Sequence, residues 1–376
     1  MRIVACALAA LTLAACTTTP VPYARPLNAE QIAAIGPTPV AVSANNNGVA
    51  KSWMRQDSSA AGASQGMLGV LVSAAIDGIM NYAPGRRAAR QADELAEAMP
   101  VDTLNTSLSD HFRRQIPANP APGAVVASEV VSVQKMETAE PVEDALEVSA
   151  SYRMSEDSST LQVDIALSYQ NPDVPYVTPY VFEGSPPKAE TVGPAYRNTF
   201  TYFSQQLPVP VLTPELKERL VASVEENSRD ENGALPAEGT DAFKAMTKAL
   251  EEARDDELSK GEISIFLTRE WTRNNGALLH AEIENAHALA ARYALMDMNR
   301  TAVPSLTGVD EVVETLADGR IVRRIGSGVM AGSYVSGPSN VTSFTSYGNT
   351  ISIGRANQER MEALRTAARA RSRAAR

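Results

Sequence analysis

The sequence predicts an α+β fold, with antiparallel β-hairpins forming a sheet flanked by segregated helices. Three features carry that expectation. Leu146, Val148, Ala150, Tyr152 and Met154 alternate with polar residues; after a polar turn at 155–159, Leu161, Val163, Ile165, Leu167 and Tyr169 repeat the alternation. That is the pattern of a hairpin with one buried face. Helical stripes lie elsewhere, at Leu216, Leu220 and Val224 and at Leu279, Ile283, Ala286, Ala290 and Tyr293. Strands and helices do not alternate as βα units, so a doubly wound parallel sheet is not expected.

Residues 1–15 read as a secretory leader. Arg2 precedes an apolar run over 3–13, and Ala14 and Ala15 close it. At ~1.5 Å per residue the run falls short of a ~30 Å hydrocarbon core, so it is no membrane span. Its end, Leu13-Ala14-Ala15-Cys16, resembles the lipobox of bacterial lipoproteins. The resemblance implies cleavage before Cys16, a diacylglycerol on the Cys16 thiol and a further acyl chain on its amino group. It thus implies anchoring to membrane lipid through Cys16. Thr17 stands where Asp marks inner-membrane retention in enterobacterial lipoproteins, which implies the outer membrane. Each buried CH₂ contributes ~0.8 kcal/mol, so several chains anchor a protein that one would not. Read from the residues alone, the same stretch is a cleaved secretion signal.

Residues 16–37 form the lipidated N-terminus and a stiff tether holding Pro20, Pro22 and Pro26. The segment 38–122 is expected to hold a hairpin and an apolar helical stretch. The hairpin turns at Asn45-Asn46-Asn47-Gly48, between apolar runs on either side. Leu68, Val72, Ala75 and Ile79 give a helix over 66–83, ended by Pro84-Gly85, with further helices over 86–99 and 103–116. The 66–83 stretch is apolar nearly all round, yet shorter than a span and interrupted by Asp77, which favours a core helix over an inserted one.

The segment 123–207 is the antiparallel β region, with strands at 124–133 and 198–203 flanking the central hairpin. The link 171–197 is dense in proline and carries Tyr176, Tyr180 and Phe182, as a crossover or a partner-binding loop would. The segment 208–300 is mainly helical. Thr213-Pro214-Glu215 is a helix start, and a second helix follows Thr240 with Phe243, Met246, Leu250 and Ala253 on one face. A strand is expected over 263–271, a turn at Asn274-Asn275-Gly276, and then the buried-helix stripe from Leu279 to Tyr293. In 301–354, runs at 312–316 and 321–325 about Asp318-Gly319 form a hairpin, followed by a Gly/Ser/Thr-rich stretch with two short strands. The tail 355–376 is basic, with seven arginines against Glu359 and Glu362.

Composition excludes some functions. Asp and Glu number 44 against 34 Lys and Arg, a net charge of −10, which disfavours a nucleic-acid partner. Of the two cysteines, Cys6 leaves with the leader and Cys16 is consumed by lipid, so no disulfide is expected. Gly62-Ala63-Ser64-Gln65-Gly66 matches G-x-S-x-G, but the polar residues 55–61 before it form no strand, so Ser64 reads as a loop residue. His280, Glu284 and His287 at i, i+4 and i+7 share one side of a helix, a permissible metal face. Glu284-x-x-His287 resembles half of a di-iron motif whose other half is missing. Hydrogen-bonded histidines beside a core are the expectation there. The P-loop, HExxH and GxGxxG patterns are absent. No catalytic residue, cofactor or metal is assigned.

The expected role is that of an outer-membrane-anchored periplasmic lipoprotein with a non-enzymatic structural, assembly or binding function. Its expected partners are membrane lipid through acylated Cys16 and an envelope protein or glycan. The alternatives are a periplasmic hydrolase of envelope glycans or esters, and a membrane-active protein that inserts the 66–83 helix.

Overall fold

A computed structural model describes residues 27–43, 48–51, 88–119, 122–133, 144–171, 194–209, 211–230, 233–300, 309–326 and 330–338. The leader, Cys16, the 66–83 stretch, Ser64, most of the proline-rich link and the basic tail lie outside the described residues.

In chain order the elements are α1 (Ala29–Ile35), β1 (Pro37–Ser43), β2 (Val49–Lys51), α2 (88–98), α3 (Val101–Arg113), β3 (Val126–Val133), β4 (Leu146–Met154), β5 (Leu161–Tyr169), β6 (Tyr196–Phe203), α4 (Pro214–Asn227), α5 (Asp241–Arg254), α6 (Lys260–Met298), β7 (Glu311–Thr315), β8 (Ile321–Arg324) and β9 (Tyr334–Gly337). The class is α+β, as the patterning predicts. All the strands among the described residues join one nine-stranded sheet in the order β3-β1-β4-β5-β6-β9-β8-β7, with β2 also on β4.

The sheet is mixed rather than purely antiparallel. The β4–β5 hairpin pairs Leu146 with Tyr169 through Met154 with Leu161, and β6 continues it antiparallel. The β7–β8 hairpin also forms, and β9 extends it. The junction between these two antiparallel groups, β6 with β9, is parallel and short, covering Phe200 to Tyr202 against Tyr334 to Ser336. On the other side β1 pairs parallel with both β3 and β4.

The hairpin expected about Asn45–Gly48 is a misreading. β1 and β2 do not pair with each other. Val40–Ser43 lie along Leu146–Ser149, and Val49–Lys51 lie along Tyr152–Met154, both in parallel. They are two stretches along β4 that run in the same direction, so the chain is not reversed between them. The strand expected at 124–133 forms as β3, but it sits outside β1 rather than beside the hairpin.

The strand expected over 263–271 is also overturned: these residues open α6. Ser259 caps the helix by accepting from the Glu262 backbone N–H while the Glu262 carboxylate accepts from the Ser259 backbone N–H. Ile263, Leu267 and Trp271, four residues apart, are buried, whereas Ile265 on the alternating pattern is only half-buried. Period four therefore decides. Asn274, Asn275 and Gly276 take φ of +53, +56 and +72° and bend α6 into two arms. Asn tolerates this left-handed region better than most residues, and Gly adopts it freely.

A Cβ on Gly276 would lie 3.1 Å from both the carbonyl oxygen and the Cβ of Ala98 at the end of α2. Gly276→Ala should therefore cost about 1–3 kcal/mol in urea unfolding. Gly233→Ala, at φ +79° with nothing within 4 Å, should lose only the backbone part. Equal losses at the two sites would contradict the packing argument.

One face of the sheet is covered. Val148, Val163, Ile165 and Phe200 share a core with Leu104, Leu108 and Phe112 of α3 and with the stripe Leu279, Ile283, Ala286, Ala290 and Tyr293 of α6. α3 packs on α6, β1 and β3, and α6 crosses β5 and β6. α4 begins at Thr213-Pro214 as expected, with the Thr213 hydroxyl capping Leu216, and packs on α5. No helix among the described residues is long and apolar enough to cross a membrane.

Candidate functional site

α3 presents Ser107 and His111, one turn apart, beside its buried face. The C-terminal arm of α6 presents Glu284 and His287 toward them, and Tyr152 reaches in from the covered face of β4. The five side chains form one hydrogen-bonded chain. Tyr152 Oη is 2.8 Å from His287 Nε2, and Ser107 Oγ is 2.9 Å from His287 Nδ1. Ser107 Oγ donates to Glu284 Oε1, and His111 Nε2 lies 2.6 Å from Glu284 Oε2.

The protons in this chain can be assigned. Burial works against the Glu284 charge, but the hydrogen bonds from Ser107 and His111 outweigh it and hold the carboxyl below its usual range. Complete burial, reinforced by nearby His111 and opposed by Glu284, pushes the His287 pKa down to about 3, so the imidazole is neutral. Burial pushes the Tyr152 phenol up, so it keeps its proton. An ionised carboxylate only accepts, which takes the one proton of Ser107. His287 Nδ1–H then donates to Ser107 Oγ, and Nε2 accepts from Tyr152.

That polarity matters chemically. A nucleophilic serine needs its hydroxyl to point at an unprotonated imidazole nitrogen. Here the nitrogen facing Ser107 carries the hydrogen. The chain orders protons and pins α3, α6 and β4 together; it does not activate Ser107.

The sequence places His280, Glu284 and His287 on one helix side, and the structure brings only the last two together. His280 Nε2 lies 3.1 Å from the Ala98 carbonyl oxygen at the end of α2. Successive turns of α6 meet different neighbours, α2 and then α3. Among the described residues no group of three or more His, Cys, Asp or Glu could hold a metal ion. Ser107, His111 and Tyr152 were not singled out by sequence reasoning. The available signal was the Ser107/His111 spacing of four on an amphipathic helix.

Two further buried polar knots sit along α6. Asp297 accepts from Tyr196 Oη at 3.0 Å, Asn198 Nδ2 at 2.7 Å and Tyr334 Oη at 2.6 Å. Glu282 Oε2 accepts from Tyr202 Oη at 2.5 Å and from Arg320 Nη1 at 2.7 Å, and Arg320 Nε also donates to Asp318 at 2.6 Å. The polar turn at 155–159 buries Ser158 and Ser159; Ser158 bonds Thr268, and its carbonyl accepts from the Trp271 indole.

The opposite face of the sheet is polar along most of β4, β5 and β6, with a small buried apolar cluster of Phe203, Ile325 and Val335 toward β9. Register aligns Glu147, Ser168 and Arg197 in one row, Ser149, Ala166 and Thr199 in the next, and Ser151, Asp164 and Thr201 in a third. Arg197, Ala166 and Ser151 are exposed. The first two rows and Ser43 line a groove of about 290 Å³.

No protein-family model matches the chain, and neither a curated protein nor a solved structure resembles it significantly.

Proposed function

We propose that this is a lipid-anchored protein of the bacterial outer membrane, held through acylated Cys16 with its folded body in the periplasm, in a non-enzymatic structural, assembly or binding role. The observation that carries the reading is the sequence 1–16, a charged start, a short apolar run and Leu13-Ala14-Ala15-Cys16. The ten residues 17–26, with Pro20, Pro22 and Pro26, would reach roughly 30 Å in an extended polyproline conformation, enough to lift a domain clear of head groups. Two features of the fold support a binding role. The most nucleophile-like constellation, Ser107 with His287, has its proton polarity set against catalysis. The sheet face opposite the core carries the hydroxyls of Ser149, Ser151, Ser168 and Thr199, groups suited to an envelope glycan or protein.

The test is the state of Cys16. Protein isolated from native membranes should begin at Cys16 and carry acyl mass, and Cys16→Ser should leave the membrane fraction. An intact Met1 end, or an unmodified Cys16 thiol, would overturn the reading.

A further inference from the structure

Two arginines are buried at β8, Arg320 just before the strand and Arg324 at its end, and the fold treats them differently. Arg320 is 3% exposed and saturated: Glu282, Asp318 and Tyr202 all accept from it. Arg324 is 2% exposed, yet its Nη1 and Nη2 have no hydrogen-bond partner among the described residues. Its Nε reaches only the Gly332 carbonyl oxygen, at 3.4 Å, and its guanidinium carbon stands 5.9 Å from the centre of the Tyr334 ring. Guanidinium does not give up its proton in proteins, so the charge stays. A buried charge left unpaired is among the costliest features a fold can hold.

The acid bonded to Tyr334 is already engaged. Asp297 Oδ1 takes Tyr334 and lies 3.9 Å from Arg300 Nε, while Oδ2 takes Tyr196 and Asn198. Two guanidinium groups thus surround Tyr334 against one carboxylate. Glu311, opposite Arg324 in the β7–β8 register, is exposed and does not bond it. Arg300 is partly exposed, so this cationic spot has an edge toward solvent.

We propose that Arg324 is the anchor of a binding site for a small oxyanion, a carboxylate or phosphate group, beside Tyr334, where β9 meets the C-terminal end of α6. The paired Nη1 and Nη2 donors match two oxygens of such a group in the bidentate manner. Arg300 supplies the second positive charge. The site does not depend on the Cys16 anchor.

Thermal unfolding of the full chain tests this, with inorganic phosphate or acetate titrated against chloride at constant ionic strength. The wild type should gain a saturable rise in melting temperature. Phosphate alone saturating assigns a phosphate ligand, and acetate alone a carboxylate. Arg324→Met should abolish the rise, and in chloride it should melt no lower than the wild type, because it removes an unpaired charge. Arg324→Lys, which loses the fork, should bind about tenfold more weakly. No saturable rise in the wild type overturns the proposal. So does an equal rise in Arg324→Met, or a folded Arg324→Met that melts far lower in chloride, since Arg324 would then be paired within the chain. If Arg324→Met does not fold, calorimetric titration of the wild type and Arg300→Gln decides. One-site binding weakened in Arg300→Gln supports the site, and its absence, or equal binding by both, overturns it.

Discussion

Replacing Asp297 with alanine should destabilise the fold by about 3–5 kcal/mol, because it removes the shared acceptor of three buried donors and the carboxylate beside Arg300. Asp297 is 3% exposed and receives Tyr196, Asn198 and Tyr334. Burial, with the Asp297 charge added, raises both phenols well above their ordinary value, so neither relieves the loss by ionising. The effect has a direction in space. Tyr196 and Asn198 belong to β6 and Tyr334 to β9, so Asp297 ties the end of α6 across the short parallel junction between the two antiparallel groups. Asp297→Asn keeps one acceptor oxygen and the side-chain volume and should cost about 1–2 kcal/mol. Urea unfolding of both variants gives the magnitudes. Hydrogen exchange gives the place: amides of β8 and β9 should lose protection before those of β4 and β5. A loss under 1 kcal/mol in Asp297→Ala, or uniform deprotection, would contradict this account.

Where local pattern and tertiary environment agree, the sequence is readable. The β4–β5 hairpin follows from strict alternation over two nine-residue strands, and α4 from Thr213-Pro214. The C-terminal arm of α6 follows from a stripe in which every predicted position is buried. Its N-terminal arm was misread because Ile263, Ile265 and Leu267 satisfy period two while Ile263, Leu267 and Trp271 satisfy period four. The Ser259/Glu262 capping box, present in the sequence, is the signal that separates them. The β1–β2 error is of another kind. Asn45–Gly48 marks a break, but whether the chain reverses there depends on β4, about a hundred residues later. The candidate site splits the same way. Glu284 and His287 are legible from their spacing on one helix. Their partners are not, since Ser107 is 177 residues from Glu284 in sequence and only packing of α3 on α6 joins them. Buried charge is the least legible feature of all. Alternation puts Val322 and Arg324 on one face and Ile321 and Arg323 on the other, and nothing local says that Arg324 is enclosed.

The buried imidazole makes stability depend on pH with a definite sign. His287 titrates near its ordinary 6.5 in the unfolded chain and at about 3 in the fold, where burial, with nearby His111, disfavours its charge. Between those values the unfolded chain binds the extra proton, so stability rises with pH. The contribution is complete above about pH 6.5 and is lost as pH falls toward 3, at up to ~1.4 kcal/mol per pH unit. Glu284, held below its usual range, acts in the same direction at lower pH. The control is His287→Gln, which removes the titrating ring. At pH 7.5 it should be less stable than the wild type by about 3 kcal/mol, since Tyr152 and Ser107 lose their designed partner in a buried setting. As pH falls, the wild type loses its advantage and the variant does not, so the two urea midpoints should converge, meeting at roughly pH 4. Glu284 remains in both proteins, and His287 is the smallest of the causes that lower it, so the imidazole dominates their difference. A gap that stays constant from pH 7.5 to 4 would mean that His287 is protonated equally in both states, and the proton order assigned from Tyr152 to Glu284 would be wrong.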